Sequence, residues 1–509
     1  MPAMPLIWRG APNVLGTLRC EVASMSRAND IASGTLARKG VYGDDAVQKA
    51  AELVKRVEAD GFETIRVLFA DQHGILRGKT IVARALSSAF ASGIGIPSTL
   101  LLKDTSHRTV FPVWEPGGSV GGLLLDGASD VLLAPDPDSF VALPWSPHSA
   151  ILLCDVVDRT GKAVPFASTS VLRTATQKLD DAGFRAVVGL EVEFQVFEIA
   201  DEGLAHDQTG MPPAPVMTRN TTQGYQYLTE TRYGEAETLL DLLRRTAEQM
   251  GLAPRSMEIE MGPSQYEFTF DASDPHSQAA RYVLFRTMVK EICQAQGLHA
   301  SFMAKPKLPN AAANGWHIHQ SLMDVTTGRN VFEPDKAGEL TPEANGWIAG
   351  LLDHAEAMCL LTNPGVNSYK RFTDFQLAPN RIQWGRDNRG AMARALMYPG
   401  DGASRVENRV ADTMANPYFA IAGQILSGLD GLQRKASAPA ASETPYDAAA
   451  PRLPNTLLAA IEAFEQSPLI ADHLGQEFVR YLAQIKRAEW DRYVMTISDW
   501  EQAEYFNLF

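Results

Sequence analysis

Apolar and polar residues alternate with two different periods along the chain, and these periods predict its secondary structure. Apolar residues recur at helical spacing over 46–60, where Asp44 or Asp45 can cap a first helix. Two β-rich runs on either side of Asp71–Gly74 predict a hairpin. Farther along, the pattern predicts short strands and a series of helices over 168–182, 234–250, 276–297, 340–361, 415–433, 455–465 and 473–495.

This order of elements predicts an α+β protein with two domains, since 509 residues exceed one ordinary hydrophobic core. We expect a small β-rich domain over 44–150, which ends at a proline-marked boundary, and a large mixed domain over 151–509. Residues 1–43 are expected to form a flexible N-terminal extension. The Pro/Ala-rich stretch 437–454 is expected to be a surface excursion of the large domain.

Several predicted strands of the second domain place acids or imidazoles on one face. In "VVGLEVEFQVF", Glu191 and Glu193 alternate with apolar residues, so both carboxylates point to the same side of the strand. The same alternation occurs in "SMEIEMGPSQYEF", "NGWHIHQSL" and "SRVENRVAD". The polar residues of the four segments are Glu191 and Glu193; Glu258, Glu260 and, after a Gly-Pro turn, Glu267; His317 and His319; and Arg405, Glu407 and Arg409.

Two interpretations fit this pattern. The outer face of a half-solvated antiparallel sheet is normally polar, and each strand taken alone favours that interpretation. The strands nevertheless concentrate Glu and His without Lys, and neighbouring carboxylates repel one another unless a cation neutralises them. Carboxylates with an imidazole suit Mg²⁺ or Mn²⁺ better than zinc, and arginines beside them bind phosphate or carboxylate groups. Taken together, the strands predict a divalent-metal site for phosphoryl transfer.

The net charge limits the kinds of binding partner, and the cysteine spacing limits the cellular compartment. The net charge of −14 argues against nucleic acid or an anionic membrane as the main partner, although a small anionic substrate still fits. The four cysteines have no paired spacing, which is typical of a reducing compartment. No apolar run approaches the length of a membrane span, and the N-terminus lacks a secretory pattern. We therefore expect a cytoplasmic protein that binds neither nucleic acid nor a membrane.

Seven motifs, in order, carry a family resemblance: "GLEVEF", "EIEMGPSQYEF", "NGWHIHQSL", "NPGVNSYKRF", "DNRGAMAR", "RVENRVADTMANPY" and "GLDGL". The chain resembles the type I glutamine synthetase superfamily over nearly its whole length. The hairpin "ADQHGILRGK" is similar to the small domain of that family, and "EWDRYVMTISDWEQAEYF" to its C-terminal helices. The resemblance implies a small N-terminal β-grasp domain and a large C-terminal catalytic domain, whose curved antiparallel sheet is flanked by helices.

The resemblance also implies a chemistry and two metal sites. Family members use ATP to phosphorylate the γ-carboxylate of glutamate, and an amine then displaces the phosphate. Two or more Mg²⁺ or Mn²⁺ ions are implied for each active site. The implied ligands are Glu193, Glu260 and Glu267 for the first ion, and Glu191, His317 and Glu407 for the second.

Further roles follow from the same resemblance. Arg371 matches the arginine that binds the α-carboxylate of glutamate, Arg409 matches one near the reacting carboxylate, and Arg389 matches one that holds a transferring phosphate. His319 resembles a residue that contacts the nucleotide, but a purely structural role as a hydrogen-bonded histidine fits the sequence equally well. The positions that resemble nucleotide contacts are His319, Ser321, Arg394 and Arg405.

The chain departs from glutamine synthetases in the loop that follows Arg371. Those enzymes carry a glutamate there that attracts and deprotonates ammonium, and Leu377 stands in its place. The ammonium-contacting loop of the first domain is also not evident, and Asp104 is its nearest counterpart. The segment "WGRDNR" resembles the branch that glutamylates organic amines. We assign the pocket for the amine to Phe375, Leu377, Trp384 and Trp316.

An apolar amine suits such a pocket best. A polyamine requires acids around its cationic tail, and an alkylammonium, with a pKa of about 10.4, requires a base. An aromatic amine arrives neutral, so we expect an aromatic amine such as aniline or a small alkylamine such as isopropylamine. The alternatives are a γ-glutamylpolyamine synthetase, a glutamine synthetase in which Asp374 or Asp104 replaces the missing glutamate, and a non-catalytic structural relative.

The resemblance finally implies an assembly. Family members form rings in which the small domain of one subunit completes the active site of its neighbour. A homo-oligomer, a dodecameric double ring with active sites at the subunit interfaces, is therefore expected.

Overall fold

The computed structural model describes residues 29–120, 125–201, 203, 205–375, 377–446 and 449–509, and it confirms the predicted α+β class. The strands are β1 Thr64–Ala70, β2 Leu76–Val82, β3 Ile94–Pro97, β4 Asp130–Pro135, β5 Val141–Ala142, β6 Ser149–Val157, β7 Phe184–Ile199, β8 Thr218–Asn220, β9 Pro254–Ile259, β10 Gln265–Phe270, β11 Leu298–Ser301, β12 Trp316–Asp324, β13 Trp384–Arg386, β14 Ala393–Leu396 and β15 Arg405–Asn408.

The helices follow the predicted series, with two of the long ones divided. They are α1 Thr35–Arg38, α2 Asp44–Ala59, α3 Leu86–Ser92, α4 Ser168–Asp181, α5 Glu230–Gln249, α6 Pro275–Ala295, α7 Pro342–Asp353, α8 Ala355–Thr362, α9 Pro417–Gln433, α10 Leu457–Glu465, α11 Pro468–Leu474, α12 Gln476–Val494 and α13 Asp499–Tyr505. None of the helices in the described residues is long and apolar enough to cross a membrane.

Three details of the predicted helices were wrong. The helix expected over 340–361 breaks at His354 into α7 and α8, and the helix expected over 473–495 begins one residue after Gly475 as α12. Gly475 has φ +86°, a conformation that ends the preceding helix and that glycine adopts at little cost. At α2 the cap residue is Gly43, while Asp44 and Asp45 lie in the first turn, where carboxylates favour the helix dipole.

The smaller sheet has six strands in the order β2-β1-β6-β4-β3, with β5 paired to β6. β1 and β2 form the predicted hairpin, and the apolar side chains of β1, Ile65, Val67 and Phe69, are buried on one face. Gly78 is required in β2, because a Cβ there would lie within van der Waals overlap of the Val67 carbonyl. β6 belongs to this sheet, so the predicted boundary at residue 150 falls inside a strand.

The N-terminal extension predicted over 1–43 is only partly described. Residues 1–28 lie outside the described residues. Residues 29–43 contribute to the core of the small domain, because Ile31 and Leu36 are fully buried. That part of the chain therefore belongs to the domain and contradicts the expectation of a flexible extension.

The larger sheet has nine strands in the order β13-β14-β15-β12-β7-β10-β9, with β8 and β11 both paired to β7. Its pairings are antiparallel except for β13 with β14. Leu190, Val192 and Phe194 of β7 are buried on one face, and the Phe194 ring meets Phe285 of α6 edge-on at 5.8 Å between ring centroids. Burying each such side chain stabilises the fold by about 1.5–3 kcal/mol. The opposite face is left for polar residues.

Polar contacts join the small domain to the large one. The Asp71 carbonyl, at the turn of the hairpin, accepts hydrogen bonds from Asn416 Nδ2 at 3.0 Å and Ser168 Oγ at 2.9 Å. Arg66 of β1 donates to both carboxylate oxygens of Glu291 on α6 at 2.8 Å. Charge-assisted hydrogen bonds between partly buried groups are stronger than neutral ones, so these contacts set the small domain against the helix that supports β7.

Candidate active site

The first group of carboxylates is formed by strand register. Glu267 of β10 lies directly opposite Glu193 of β7, and Glu260 follows the end of β9. Gly262 and Pro263 turn the chain between β9 and β10, which returns Glu267 beside Glu260. Oxygens of Glu193, Glu260 and Glu267 all lie within 4.8 Å of one another, so the structure brings together the three predicted ligands of the first metal ion.

The second group lies one strand away. Glu191, His319 and Glu407 present ligand atoms within 4.8 Å of one another, and His319 of β12 lies opposite Glu407 of β15. His317 Nδ1 lies 2.8 Å from Glu191 and 3.7 Å from Glu407. The predicted trio of Glu191, His317 and Glu407 is thus assembled, and His319 joins it through a 2.8 Å contact from Nε2 to Glu191.

His317 stands between the two groups, since its Nε2 lies 4.0 Å from Glu193. Seven side chains therefore share one side of the large sheet, which we call the ligand face. They are Glu191, Glu193, Glu260, Glu267, His317, His319 and Glu407.

The two groups have opposite electrostatics. Burial, together with the Glu260 carboxylate, raises the pKa of Glu193 to about 8. Burial, followed by Glu193, Glu191 and Glu260, also raises the pKa of Glu267 well above its ordinary value. Burial opposes ionisation of Glu191 too, but hydrogen bonds from His317 and His319 outweigh it and lower the pKa. The first group is therefore short of positive charge, whereas hydrogen bonds from the imidazoles favour the ionised form of Glu191 in the second.

The residues present fit a divalent cation at the first group. Three buried or partly buried carboxylates without a basic side chain between them repel one another, and a hard cation with oxygen ligands removes that repulsion. A small space is kept open beside them, because a Cβ on Gly315 would lie 2.8 Å from His317 Nε2 and 3.0 Å from Glu193 Oε1. The chemistry of the donors therefore matches Mg²⁺ or Mn²⁺ better than zinc.

Two arginines neutralise Glu407, which is fully buried at the edge of the ligand face. Arg394 Nη1 donates to Glu407 Oε2 at 3.0 Å, and Arg409 Nη1 donates to Oε1. Burial opposes ionisation of Glu407, but the charge of Arg409, with His319 and His317, outweighs it and lowers the pKa of Glu407. Both arginines keep further N–H groups, so the edge of the site combines a carboxylate with cationic donors suited to phosphate.

Arg371 lies beside the first group. It is 2% exposed, its Nη1 donates to the Val410 carbonyl at 2.7 Å, and its buried Nε has no hydrogen-bond partner among the described residues. Its Nη2 lies 3.3 Å from the position of a Cβ on Gly315. A buried guanidinium with an unused donor next to an open space is equipped to bind an anionic group of a ligand.

A cavity of about 560 Å³ opens beside the second group. Glu191, His319, Ser321 and Arg405 are among its lining residues, with apolar positions such as Leu190 and Phe270. Arg405 Nε donates to His319 Nδ1 at 3.0 Å, which orients the imidazole toward Glu191. An apolar cavity with cationic and hydroxyl groups at one end suits a nucleotide, and it collects three of the four residues predicted to contact one.

The fourth of those residues and the remaining predicted arginine lie at the rim of the ligand face. Arg394 is mostly buried between Asp387 and Glu407, and it does not line the cavity. Arg389 is exposed, and its carbonyl accepts a hydrogen bond from Arg409 Nε at 3.0 Å. The backbone of Arg389 is thus bound to Arg409, while its side chain is exposed.

The loop over residues 372–380, which we call the flap loop, carries the predicted amine residues Phe375 and Leu377. Both are exposed, by 74% and 49%, and both have a positive φ, +64° and +56°. Asp374, also in this loop, accepts a hydrogen bond from Asn380 Nδ2 at 2.6 Å. The loop therefore presents two apolar side chains to the outside, while the acid is bound at its base.

Three predicted site residues lie elsewhere. Trp316 is fully buried on the opposite face of β12 and stacks on Tyr282 at 4.8 Å, as strand alternation requires. Trp384 is 3% exposed and donates from Nε1 to the Pro439 carbonyl at 2.7 Å, so it supports the surface excursion and lines no pocket for an amine. Both assignments to the amine pocket were wrong.

Asp104 was the third misplaced prediction. It is 2% exposed, and its Oδ1 accepts from the backbone N–H groups of Ser106 and Arg108 at 2.9 Å each. Its Oδ2 accepts from Arg492 at 3.2 Å. The carboxylate builds a turn and anchors helix α12, which leaves it unsuited to contact an amine.

Sequence reasoning missed a network of buried amides behind Glu193. Gln265 Nε2 donates to Glu193 at 3.2 Å and to Asn314 Oδ1 at 3.0 Å, and Asn314 Nδ2 donates to Gln195 Oε1 at 2.6 Å. All three amides are buried. Gln195 and Gln265 continue the alternation of Glu193 and Glu267, and that signal could have identified them. The network fixes the Glu193 carboxylate and the backbone before Gly315.

Comparisons with known proteins identify the family of the chain. Residues 167–505 match the family model for the glutamine synthetase catalytic domain. The chain is 33% identical to gamma-glutamylanilide synthase from Acinetobacter sp. over 492 residues, which cover 93% of this chain and 98% of that protein. It is 30% identical to gamma-glutamylethanolamide synthetase GlnA4 from Streptomyces coelicolor, with 89% and 95% covered.

A solved structure of GmaS in complex with ADP superimposes with a TM-score of 0.74 at 27% identity, and the match covers 89% of this chain and 99% of that one. The family model, the relatives and the shared fold all span the strands that form the ligand face. The chain therefore belongs to the glutamine synthetase family, whose members are ATP-dependent ligases.

Proposed function

We propose that this protein joins the γ-carboxylate of L-glutamate to an apolar organic amine, with aromatic amines such as aniline as the favoured class and small alkylamines such as isopropylamine as the second. One observation carries the proposal. The flap loop presents Leu377, 49% exposed, where an ammonia-using enzyme requires a carboxylate. Two acids could replace that carboxylate, but both are engaged in other hydrogen bonds. Asp374 accepts one from Asn380, and Asp104 accepts one from Arg492.

The ligand face supports the first half of the reaction. A glutamate γ-carboxylate oxygen attacks the γ-phosphorus of ATP, the bond from phosphorus to the bridging oxygen breaks, and ADP leaves. Arg371 binds the α-carboxylate, while Arg389 and Arg409 stabilise the charge on the transferring phosphoryl group. Glu193, Glu260 and Glu267 would hold one Mg²⁺ or Mn²⁺, and Glu191, His317 and Glu407 a second, which would neutralise phosphate charge.

The flap loop supports the second half. The amine nitrogen attacks the acyl carbon of γ-glutamyl phosphate, the bond from carbon to the phosphate oxygen breaks, and inorganic phosphate leaves. The nitrogen then loses a proton to the departing phosphate, which leaves the amide. A neutral aromatic amine reaches the site with its lone pair free, so it requires no carboxylate before the attack. An alkylammonium or ammonium ion must first be deprotonated.

The names of two relatives support an organic amine in place of ammonia, and one of them names an aromatic amine. Gamma-glutamylanilide synthase and gamma-glutamylethanolamide synthetase are both named for amines other than ammonia. We further propose a dodecameric double ring with active sites between subunits and a cytoplasmic location. Chromatography with light scattering on the full chain tests the assembly, and a monomer that retains full activity would contradict it.

An amine panel tests the proposed function. The purified chain is given ATP, glutamate and Mg²⁺ with aniline, isopropylamine, ethanolamine, putrescine, spermidine or ammonia, and phosphate release and amide formation are measured. We expect kcat/KM for aniline to exceed that for ammonia by at least about tenfold, the size of one lost or gained polar contact. A preference for ammonia or for a polyamine would overturn the proposal, as would ATP hydrolysis without amide formation.

A further inference from the structure

The first part of the Pro/Ala-rich segment, residues 437–446, is bound to the edge of the large sheet. Ser442 N–H donates to the Trp384 carbonyl at 2.8 Å, and Trp384 Nε1 donates back to the Pro439 carbonyl at 2.7 Å. Gln383 Nε2 donates to the Pro445 carbonyl. These contacts bind the stretch from Pro439 to Pro445 to Trp384 of β13 and to Gln383 just before it, so this part of the segment is a built element of the fold.

Tyr446, which follows Pro445 in this segment, contacts Phe375 of the flap loop. Its ring lies 4.4 Å from the ring of Phe375, centroid to centroid, at an interplanar angle of 38°. Gly390 makes room for the approach, because a Cβ there would lie 2.5 Å from Pro445 Cγ and 3.4 Å from Tyr446 Cε2. Offset, tilted rings at this distance attract one another, so Tyr446 holds Phe375 from behind.

The same contact ties the ring pair to the active site. Gly390 follows Arg389, whose carbonyl accepts from Arg409 Nε at 3.0 Å, and Arg409 in turn donates to Glu407 of the ligand face. A short path of hydrogen bonds therefore connects the residue before Gly390 with the ligand face. The flap loop begins immediately after Arg371, which lies beside Glu193. The ring pair is thus connected to the ligand face through Gly390, Arg389 and Arg409, and the flap loop follows Arg371 directly in the chain.

Phe375 keeps 74% of its surface exposed although an aromatic neighbour is available, and its φ of +64° is unfavourable for a side chain of this size. Leu377, with φ +56°, presents a second apolar side chain from the same loop. Two strained residues that expose apolar groups beside a polar site are typical of a surface that a ligand covers.

We propose that Phe375 and Tyr446 form an aromatic wall of the amine site, in which Phe375 contacts the amine and Tyr446 is a positioning residue that sets the angle of Phe375. This proposal deepens the proposed function and rests on it. A flat aromatic amine stacks on Phe375 over its whole face, while an alkylamine makes only edge contacts and a polyamine meets no carboxylate. The wall selects aromatic amines among the apolar ones.

A double-mutant cycle with two amines tests the wall. Phe375→Ala, Tyr446→Ala and the double variant are compared by kcat/KM for aniline and for isopropylamine. We expect each single variant to lose about threefold to tenfold with aniline and less than about twofold with isopropylamine, while KM values for ATP and glutamate stay within about twofold. Because the two rings act together, the double variant should lose little more than one single variant.

Three matched variants complete the test. Tyr446→Phe keeps the ring and should retain the wild-type ratio of aniline to isopropylamine, whereas Phe375→Leu keeps an apolar group without the flat face and should lower it. Tyr493→Ala removes a tyrosine from another tilted pair, with Trp490 at 5.6 Å, and should leave the ratio unchanged. Equal losses with both amines, independent effects of the two rings, or an unchanged ratio would overturn the wall.

The amine panel on the unmodified protein separates the two proposals. Preference for ammonia or a polyamine overturns the proposed function and the wall together, before any variant is compared. Preference for isopropylamine over aniline keeps the proposed function and overturns the wall. Preference for aniline, with a ratio that Phe375→Ala and Tyr446→Ala leave unchanged, likewise overturns only the wall.

Discussion

The ligand face and the flap loop belong to one site but are built differently. On the ligand face, carboxylates and imidazoles project from paired strands, and backbone register alone places Glu193 opposite Glu267 and His319 opposite Glu407. In the flap loop, Phe375 and Leu377 adopt positive φ values on an exposed connection. Strands position groups to within a fraction of an ångström, and loops do not.

This difference separates two tasks. Phosphoryl transfer requires several charged groups at fixed distances, so it depends on the sheet. The choice of nucleophile depends on which side chains meet the amine, so it can change in the loop without any change to the strands. If the division holds, substitutions on the ligand face abolish every reaction, and substitutions in the flap loop only change the preferred amine.

The largest effect is expected for Glu193→Gln. The change removes one charge from a partly buried carboxylate that lies close to two other acids and to His317, so a divalent cation loses a ligand and the acyl phosphate loses its support. We expect kcat to fall by about 10²- to 10³-fold with every amine, and Mg²⁺ to bind about 10- to 100-fold more weakly. Steady-state kinetics and titration with Mn²⁺ measure the two effects.

Glu198→Gln is the matched control, because Glu198 lies on the same strand and is exposed. It should leave both quantities within about twofold, as surface substitutions usually do. If Glu193→Gln impaired the reaction with aniline but spared that with ammonia, the ligand face would also select the amine, and the division of tasks would be wrong.

A smaller loss is expected for Arg371→Lys. The guanidinium is 2% exposed and its Nε is unused, so a planar group of the substrate is its natural partner, and an ammonium lacks the second donor of the fork. We expect KM for glutamate to rise by about 10- to 100-fold, with KM for ATP nearly unchanged. Lys370→Ala removes an exposed cation next to it and should leave KM for glutamate unchanged. Equal rises for both substrates would indicate misfolding of the site.

The strand-borne part of the site could be predicted because alternation is a property of the backbone. Glu191 and Glu193 are two positions apart on one strand, so the sequence predicts that they point to the same side, and Glu267 alternates with apolar residues on another strand. Repulsion among such carboxylates then implies a cation. The same rule contradicted the assignment of Trp316 to the amine pocket, since Trp316 alternates with His317 and therefore faces the core. The family resemblance supplied which strands are neighbours, which alternation alone does not give.

The loop-borne part could not be predicted in the same way. Nothing in the local sequence indicates that Trp384 turns toward Pro439, or that Tyr446 meets Phe375 from a segment some seventy residues later. These contacts depend on tertiary packing around Gly385 and Gly390, where neighbouring atoms leave no room for a Cβ. The domain boundary failed for a similar reason, because β6 pairs with β1 from far along the chain.

A moderate gain is expected for Leu377→Glu. The Leu377 side chain is half exposed and is not part of the hydrophobic core, so we expect the protein to tolerate a carboxylate there. It would attract ammonium and accept its proton, and we expect kcat/KM for ammonia to rise by about tenfold while that for aniline falls by about twofold to fivefold. Leu377→Gln has the same size without the charge and should give no gain. An equal gain from both variants would exclude proton transfer as the reason.

The smallest effect is the change of Tm with pH and with a bound divalent metal, and it compares the first and second groups of the ligand face directly. In the metal-free protein, burial and Glu260 raise the pKa of Glu193 to about 8, and burial also raises the pKa of Glu267. A carboxyl whose pKa is raised on folding stabilises the fold while it is protonated. That stability is complete below the pKa of the unfolded chain, about 4.3, and is lost as the pH rises through the folded value.

Thermal unfolding in the presence of a chelator should therefore show a Tm that falls between about pH 6 and about pH 8.5. Mg²⁺ binds the ionised carboxylates, so the increase in Tm that it produces should be larger at the higher pH. Glu193→Gln should flatten the metal-free profile, and Glu198→Gln should not. The second group gives the opposite sign, since hydrogen bonds and cations lower the pKa values of Glu191 and Glu407. A metal-induced increase in Tm that is the same at both pH values would show that the first group does not bind the ion that stabilises the fold.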